Sequence, residues 1–242
     1  MKKEAELWKS LDSNKVQCHV CAHHCVINEG KMGICRTRKN QNGKLYTLIY
    51  NSLSSSGSND PIEKKPLYHF WPGSNAYSIA TIGCNFSCKN CQNWNISQSY
   101  PNQDGSRALF TRSDQEEFGC RDFSLKEYTT EQTVKRAKRS GSHSIAYTYN
   151  EPTIWFEYVK DCSNLAHKEG LKNVLVTNGY SSEQSNEEFV QFIDAANIDI
   201  KAFNNEFYKR VVGVPSVQPV LDTCKFMKNN GVHVEITNLI IP

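Results

Sequence analysis

The sequence predicts an α/β protein built on part of a (βα)6 barrel, with a small cysteine-rich module in front of it. From residue 76 onward, short apolar runs rich in β-branched residues alternate with longer segments of helical period, as in a parallel sheet with helical crossovers. Three closely spaced cysteines follow the first of these runs, and the sites of such sheets form at the carboxyl ends of the strands. Four more cysteines lie within residues 18–35, ahead of a serine-rich tract.

The predicted elements divide the chain into two parts. In the first part, residues 1–70, a strand at 44–53 precedes the tract 54–59, whose four serines and one glycine are typical of a flexible linker. The second part, residues 71–242, is the barrel. Its predicted strands are 76–82, 144–149, 171–177, 198–202 and 232–241, and its predicted helices are 153–169, 182–195 and 216–229.

An insertion at about residues 101–128 interrupts the barrel. It is polar, contains Asp104-Gly105 and shows no sustained period, so a surface loop is the favoured interpretation. Because it follows the three cysteines, the alternative is that it shields a site or shapes access to it. The next helix is expected to begin near Thr130, which can cap it, with Glu131 in the first turn.

Cys84, Cys88 and Cys91 have the spacing C-x3-C-x2-C and are predicted to bind a [4Fe–4S] cluster. Three thiolates leave one iron of such a cluster open to another ligand. The alternative is a structural zinc knuckle, but structural zinc sites are closed by four ligands. Gly83 ends the run 76–82, so the cysteines are expected on a loop at the carboxyl end of a strand.

Cys18, Cys21, Cys25 and Cys35 form a second set, spaced C-x2-C-x3-C-x9-C. Four cysteines suffice for a closed zinc site or for a complete auxiliary [4Fe–4S] cluster, and the spacing leaves both open. Zinc is favoured because so small a module often needs a metal to fold. We expect this site to be structural and independent of the three-cysteine site.

The segment 83–94, with the sequence GCNFSCKNCQNW, resembles the cluster loop of the radical S-adenosylmethionine (SAM) superfamily. More narrowly, the segments 60–70 (DPIEKKPLYHF) and 146–157 (AYTYNEPTIWFE) resemble the AmmeMemoRadiSam-system enzymes, relatives of pyruvate formate-lyase activating enzyme. The resemblance runs from about Cys18 to the last residue, apart from the insertion. It implies a radical SAM barrel, a [4Fe–4S] cluster and SAM as cofactors, and an oxidoreductase-type reaction. It also implies an electron donor of the flavodoxin or ferredoxin type and partners of the AMMECR or Memo type.

Polar residues after the second predicted strand are candidates for binding SAM, whose amino group, carboxylate, ribose and adenine must all be oriented. Tyr149, Asn150 and Glu151 lie there, and Glu151 has the charge to accept from the amino group. This loop resembles the Gly-Gly-Glu-Pro motif of other radical SAM enzymes. An ordinary helix start is the alternative, because an acidic residue and Pro152 both suit a first turn.

Three further candidates for SAM binding follow the next two strands. Asn178 can donate and accept hydrogen bonds, although an Asn-Gly pair is more often only a turn. Asp199 and Lys201 share one face of the fourth strand, so Lys201 either meets the SAM carboxylate or pairs with Asp199. Asn90 stands where the superfamily usually has an aromatic residue, which leaves Phe86 or Trp94 to pack on the adenine.

The composition is that of a globular cytoplasmic enzyme. With 38% apolar residues, 22% charged residues and a net charge of +3, neither nucleic acid nor a membrane is implied as a partner. No apolar run reaches the length of a membrane span, and the lysine-rich start lacks the apolar stretch of a signal peptide. The predicted last strand has no helix after it, so we expect a C-terminal part of the barrel to be missing.

The leading functional prediction is an enzyme that cleaves SAM reductively and uses the 5′-deoxyadenosyl radical to abstract hydrogen. The resemblance to activating enzymes suggests a protein glycyl substrate, and a small molecule is equally compatible. No catalytic residue beyond the cofactor site is predicted. The alternatives are a non-catalytic metal-binding interaction module and an inactive truncated fragment.

Overall fold

A computed structural model describes residues 1–103, 106–109 and 123–241, and a six-stranded mixed sheet lies at its centre. Five strands run parallel and lie side by side in sequence order: β2 (Asn75–Ile79), β3 (Ser144–Tyr147), β4 (Lys172–Thr177), β5 (Ala195–Asp199) and β6 (His233–Thr237). An antiparallel edge strand, β1 (Ser58–Pro61), pairs with β2. The α/β class and the alternation of strand and helix are confirmed, whereas barrel closure stays a prediction.

Within the described residues, four helices connect the parallel strands: α1 (Thr130–Arg139), α2 (Phe156–Lys168), α3 (Glu183–Phe189) and α4 (Gln218–Asn229). A 3-10 turn, Pro152–Trp155, precedes α2, and the short helices Trp94–Ser97 and Asn205–Phe207 lie in loops. A capping box begins α1, but its cap is Thr129 rather than the expected Thr130. Because β2 to β5 are parallel and in register, the loops that follow them meet at one edge of the sheet.

Alternate strand residues face two different cores, as the period of two in a strand requires. Tyr147, Leu175 and Ile198 belong to the larger core, which also contains buried residues of α2 and α3. On the other face, Ala146 and Val174 pack with Ile62 and Leu67 of the segment that follows β1. This segment, residues 62–70, therefore covers one face of the sheet.

The first 53 residues form two small antiparallel sheets that pack onto the rest of the protein. One contains Lys3–Glu4, Arg38–Gln41 and Lys44–Thr47, and the other contains Trp8–Ser10, Val16–Cys18 and Val26–Ile27. Val16, Val20 and Leu45 belong to the same buried core as the α2 residue Phe156. A buried ion pair of 2.6 Å joins Arg38 Nη2 to Glu157 Oε2. The cysteine-rich segment thus shares its core with the sheet domain.

Two elements of the N-terminal part differ from their predictions, because their residues pair with strands far away in the sequence. The expected strand 44–53 is interrupted, because only Lys44–Thr47 pairs within its small sheet and Ser52–Leu53 pairs instead with Lys126–Glu127. The expected linker 54–59 is also wrong in its second half, since Ser58 and Asn59 belong to β1 of the central sheet. A serine-rich composition cannot show that a segment will be held by the edge of a distant sheet.

Part of the predicted insertion 101–128 lies outside the described residues. Its described parts contribute short strands, Tyr100–Pro101, Arg107–Leu109 and Phe123–Ser124, which pair with one another in an antiparallel sheet. Within the part of the chain that the structure describes, no helix is long and apolar enough to cross a membrane.

Candidate metal centre at the strand ends

The loop that follows β2 carries the three-cysteine motif and is fixed by backbone contacts on both sides. At its start, Gly83 has φ +86°, and a Cβ there would lie 2.5 Å from Thr37 Cγ2 and 3.0 Å from the Cys35 carbonyl oxygen. Farther on, the amides of Ser87 and Lys89 donate to the carbonyls of Val212 and Val211, at 3.1 and 2.9 Å. These carbonyls belong to a π-helical turn, Tyr208–Val212, a feature that is frequent at functional sites.

Cys84, Cys88 and Cys91 are all half-buried free thiols on this loop. Burial raises the pKa of Cys84 well above its ordinary value, and the nearby charge of Glu151 acts in the same direction. Burial also raises the pKa of Cys88, to about 11, although the Lys201 ammonium opposes it. A ligated iron favours the thiolate form of these side chains.

The described residues contain no group of three or more His, Cys, Asp or Glu side chains close enough together to hold a single metal ion. A structural zinc ion needs four ligands about 2.0–2.3 Å from one point. The ligands of a [4Fe–4S] cluster bind different irons and therefore need not converge. Three thiols are one ligand fewer than a closed zinc site has, and the cluster stays the prediction made from their spacing.

Asn178 joins the end of β4 to the cysteine loop. Its Nδ2 donates to Asn85 Oδ1 at 2.7 Å and lies 3.8 Å from Cys84 Sγ, and its Oδ1 accepts from the Tyr180 amide at 2.9 Å. The residue is 6% exposed. Asn178 therefore lies beside the first cysteine, where both a turn and a ligand contact remain compatible with its position.

Glu151 lies at the centre of the same strand ends, almost completely buried. Its carboxylate accepts from the Thr153 amide at 2.9 Å, from Thr177 Oγ1 at 2.7 Å and from the Asn178 amide at 2.8 Å. Burial raises the pKa of Glu151, and these hydrogen bonds oppose that rise. The side chain thus both caps the Pro152–Trp155 turn and holds the end of β4, as the helix-start interpretation requires.

Asn150 and Tyr149 connect the end of β3 to other segments. Asn150 accepts from the Thr81 amide at 3.2 Å through Oδ1 and donates to the Gly83 carbonyl at 3.0 Å through Nδ2. Tyr149 has φ +71°, which is strained for a bulky residue. Its hydroxyl lies 2.9 Å from Asp60 Oδ2 and 3.1 Å from Lys65 Nζ, two groups that form a buried ion pair.

Lys201 and Asp199 form an ion pair of 2.6 Å at the end of β5. Burial acts to lower the pKa of Lys201, but the charge of Asp199, the hydrogen bond to it and the nearby Cys88 and Cys84 together raise the pKa overall. The observed partner is therefore the one that the sequence offered as the alternative to a SAM carboxylate. The strand ends at Asp199, so Lys201 lies in the loop beyond it, where its charge acts on Cys88.

Comparison with known families shows which superfamily this chain belongs to. Residues 78–242, which include the cysteine loop and all the strand ends described above, match the sequence model of the Radical SAM superfamily. This chain belongs to the Radical SAM superfamily. Members of this superfamily use a [4Fe–4S] cluster and SAM.

Two curated relatives place this Radical SAM chain more closely. It is 42% identical over 240 residues to the uncharacterized protein MJ0808 of Methanocaldococcus jannaschii, a match that covers 99% of this chain and 65% of that protein. It is 28% identical over 120 residues to the pyruvate formate-lyase 1-activating enzyme of Escherichia coli, covering 49% of this chain and 47% of that enzyme. The chain thus spans between about half and two thirds of the length of these relatives.

Two solved structures are weakly similar in fold. QueE from Escherichia coli aligns with a TM-score of 0.43 at 12% identity, over 77% of this chain and 93% of that one. SuiB from Streptococcus suis aligns with a TM-score of 0.43 at 15% identity, over 65% of this chain and 30% of that one. The family assignment rests on the sequence match.

Several residues of this Radical SAM site were missed from the sequence alone. Asn85 and Asn93 fix neighbouring loops, since Asn85 accepts from Asn178 and Asn93 Nδ2 donates to the Tyr149 carbonyl at 2.8 Å. Asp60 and Lys65 hold the Tyr149 hydroxyl. The available signal was that all four lie in segments 60–70 and 83–94, two of the three that carry the family resemblance.

Proposed function

We propose that this chain binds a [4Fe–4S] cluster through Cys84, Cys88 and Cys91 and cleaves SAM reductively beside it. Cys84, Cys88 and Cys91 would hold the cluster, which would supply the electron for reductive cleavage of the sulfur–carbon bond of SAM to methionine and a 5′-deoxyadenosyl radical. That radical abstracts hydrogen from a substrate. The reductant is a one-electron donor of the flavodoxin or ferredoxin type.

The observation that carries this proposal is the hydrogen-bonded connection between the cysteine loop and the ends of two other strands. Asn178 contacts Asn85 and Cys84, and Glu151 accepts from the Asn178 amide. A site for SAM needs several polar groups around one cluster edge, supplied by different strands. The loops after β2, β3 and β4 meet in this way around Cys84.

The residues at these strand ends have distinct roles in the proposed site. Asn150 and Glu151 are held in place by backbone groups and face the same loops as the cysteines, so we assign them to the amino-acid part of SAM together with Asn178. The Asp199–Lys201 pair supplies charge next to Cys88, and because an ammonium has three N–H donors, we assign Lys201 to the SAM carboxylate in addition to Asp199. Tyr149 fixes the start of the Asn150–Glu151 loop through its backbone carbonyl, which accepts from Asn93 Nδ2.

The substrate class follows from the relatives only as a proposal. The similarity to pyruvate formate-lyase 1-activating enzyme, a protein that by its name activates another enzyme, supports a protein glycyl substrate, and a small molecule is equally compatible with it. Partners of the AMMECR or Memo type and a cytoplasmic location are proposed on the resemblance of residues 60–70 and 146–157 to the AmmeMemoRadiSam-system enzymes.

Anaerobic reconstitution followed by an assay for 5′-deoxyadenosine tests the proposal, with dithionite as the reductant. The wild-type chain should form 5′-deoxyadenosine and methionine in equal amounts. Cys88→Ala should form none, whereas Cys224→Ala, which removes a buried thiol from α4, should retain the activity. Activity that survives in Cys88→Ala, or a reconstituted wild-type chain that forms no 5′-deoxyadenosine, would contradict the proposal.

A further inference from the structure

Four cysteines from the N-terminal segment line one small cavity. Cys18, Cys21 and Cys25 come from the small sheet that contains Val16–Cys18 and from its turn, and Cys35 comes from the loop that leads to strand Arg38–Gln41 of the other small sheet. Cys18, Cys21 and Cys35 are buried, at 6%, 9% and 9% exposure. The rest of the lining is mostly apolar: Val20, Ile27, Ile34 and Ile154. The fold therefore gathers four thiols into one enclosed space.

Arg38 lines the same cavity and is 1% exposed. Its Nη1 and Nη2 donate to the Glu157 carboxylate at 2.8 and 2.6 Å, and Nη2 also reaches the Ile154 carbonyl. Its Nε finds no acceptor among the described residues. A buried guanidinium N–H without a partner costs free energy, and ligated sulfur is an acceptor that would satisfy it. The unpaired N–H of Arg38 therefore indicates a ligand in this cavity independently of the cysteines.

The four thiols fit a cluster better than a single ion. In a zinc site, the four sulfurs lie about 2.3 Å from one point. Within the ranges that the structure describes, no three such ligands converge closely enough to hold one ion. Four thiols that line one cavity without converging on one point suit a [4Fe–4S] cluster, whose ligands bind different irons.

We infer that Cys18, Cys21, Cys25 and Cys35 bind a second [4Fe–4S] cluster, closed by four thiolates and paired with the Arg38 guanidinium. A positive charge and an N–H beside a cluster stabilise its reduced, more negative form. This inference does not depend on the proposed SAM chemistry, since none of its residues belongs to the three-cysteine loop. A cluster at this position differs from the zinc ion that the sequence analysis favoured.

This second centre lies directly behind the cysteine loop. The Cys35 carbonyl oxygen lies within 3.0 Å of the point that a Cβ on Gly83 would occupy. On the other side, His23, which also lines the cavity, has its Nε2 2.7 Å from the Asn85 carbonyl oxygen. The second centre thus forms part of the wall that shapes the loop of Cys84, and the two sites are neighbours in the fold.

Iron and zinc analysis of the variant that lacks Cys84, Cys88 and Cys91 tests the inference. After anaerobic reconstitution, this triple Ala variant should retain about four irons and about four sulfides per chain, with a Mössbauer spectrum of a [4Fe–4S] cluster. Adding Cys25→Ser, which changes the most exposed of the four thiols, should remove most of this iron. Adding Cys224→Ser instead should not.

Three results would overturn the inference: about one zinc per chain in place of iron, no metal with four reduced thiols, or iron that Cys25→Ser leaves unchanged. If the triple variant does not fold, the wild-type chain gives the answer, because two clusters contain about eight irons and one contains about four. The 5′-deoxyadenosine assay of the wild-type chain tests the proposed function separately. Failure of the second-cluster inference therefore does not imply failure of the proposed function, and failure of the proposed function does not imply failure of the second-cluster inference.

Discussion

The side-chain amide of Asn178 donates to Asn85 Oδ1 at 2.7 Å and lies 3.8 Å from Cys84 Sγ. One asparagine therefore connects the end of β4 with the first cysteine of the motif and with the residue that follows it. The loop is also held by the amides of Ser87 and Lys89, which donate to the Val212 and Val211 carbonyls, so we expect it to keep its shape without this contact. The proposed role of Asn178 is thus separable from cluster binding.

Replacing Asn178 by Ala should weaken SAM binding and leave the cluster in place. We expect the Kd for SAM to rise about tenfold, equivalent to about 1.4 kcal/mol, since one buried polar partner is lost. Equilibrium binding to the reconstituted protein measures this effect, with iron content measured in parallel. Asn186→Ala is the matched control, because Asn186 is also buried but bonds to Thr223 away from the site. Unchanged SAM affinity in Asn178→Ala would show that the assignment is wrong.

Replacing Gly83 by Ala should distort the cysteine loop. Gly83 and Gly231 have nearly the same backbone conformation, with φ +86° and +89°, but only Gly83 has atoms within 4 Å of the added Cβ. Gly231→Ala should therefore cost only roughly 1–2 kcal/mol of backbone strain. Gly83→Ala should cost about 3 kcal/mol or more, because the Cys35 carbonyl and Thr37 must move.

Chemical denaturation and iron analysis of the two glycine variants distinguish these expectations. Gly231→Ala should keep its full iron content, and Gly83→Ala should lose iron from both cysteine sets, because Gly83 lies between them. Equal stability and equal iron content in the two variants would mean that the close packing of Gly83 against Cys35 has no consequence.

The stability of the protein should fall in acid through Glu235. This carboxylate accepts from the amides of Tyr68 and His69, both at 2.9 Å, and so fastens the segment 62–70 to β6. Burial acts to raise the pKa of Glu235, but the hydrogen bonds outweigh it and lower the pKa from 4.5 to about 2. A lowered folded-state pKa means that this stabilisation is present above pH 4.5 and is lost as the pH falls toward 2.

Urea denaturation between pH 6 and pH 3 measures this contribution, which we expect to be roughly 1–3 kcal/mol. Glu235→Gln should lower the stability at pH 6 and flatten its dependence on pH. The control, Glu187→Gln, changes an exposed carboxylate on α3 and should do neither. A Glu235→Gln variant with the wild-type pH profile would exclude Glu235 as the group responsible.

Local patterns in the sequence predicted the order of the sheet and the place of the cysteines, but not the lengths of the elements. The periodic apolar pattern predicted a helix over residues 182–195, whereas α3 ends at Phe189. Asp194, in the excess part, instead accepts from Lys172 and from the Asn173 amide. The predicted strand 232–241 is likewise shortened to His233–Thr237, and Ile240 beyond it is 85% exposed.

The candidate site could be predicted only as a set of separate loops. Strand-end position correctly indicated that the loops of Cys84, Glu151 and Asn178 would meet, because parallel strands in register bring their carboxyl ends to one edge. The contacts between them join residues far apart in the chain, and no local pattern encodes such pairs. For the same reason the sequence did not show that Cys35 lies against Gly83.

The most direct test of the central claim is the EPR spectrum of the dithionite-reduced, reconstituted protein with and without SAM. Only a cluster with an open iron can bind SAM directly, so SAM should change the spectrum of the wild-type chain. In the variant that lacks Cys84, Cys88 and Cys91, the remaining signal should be insensitive to SAM. A wild-type spectrum that SAM leaves unchanged, or a SAM-dependent change that persists in the triple variant, would contradict the assignment of the SAM-binding cluster to these three cysteines.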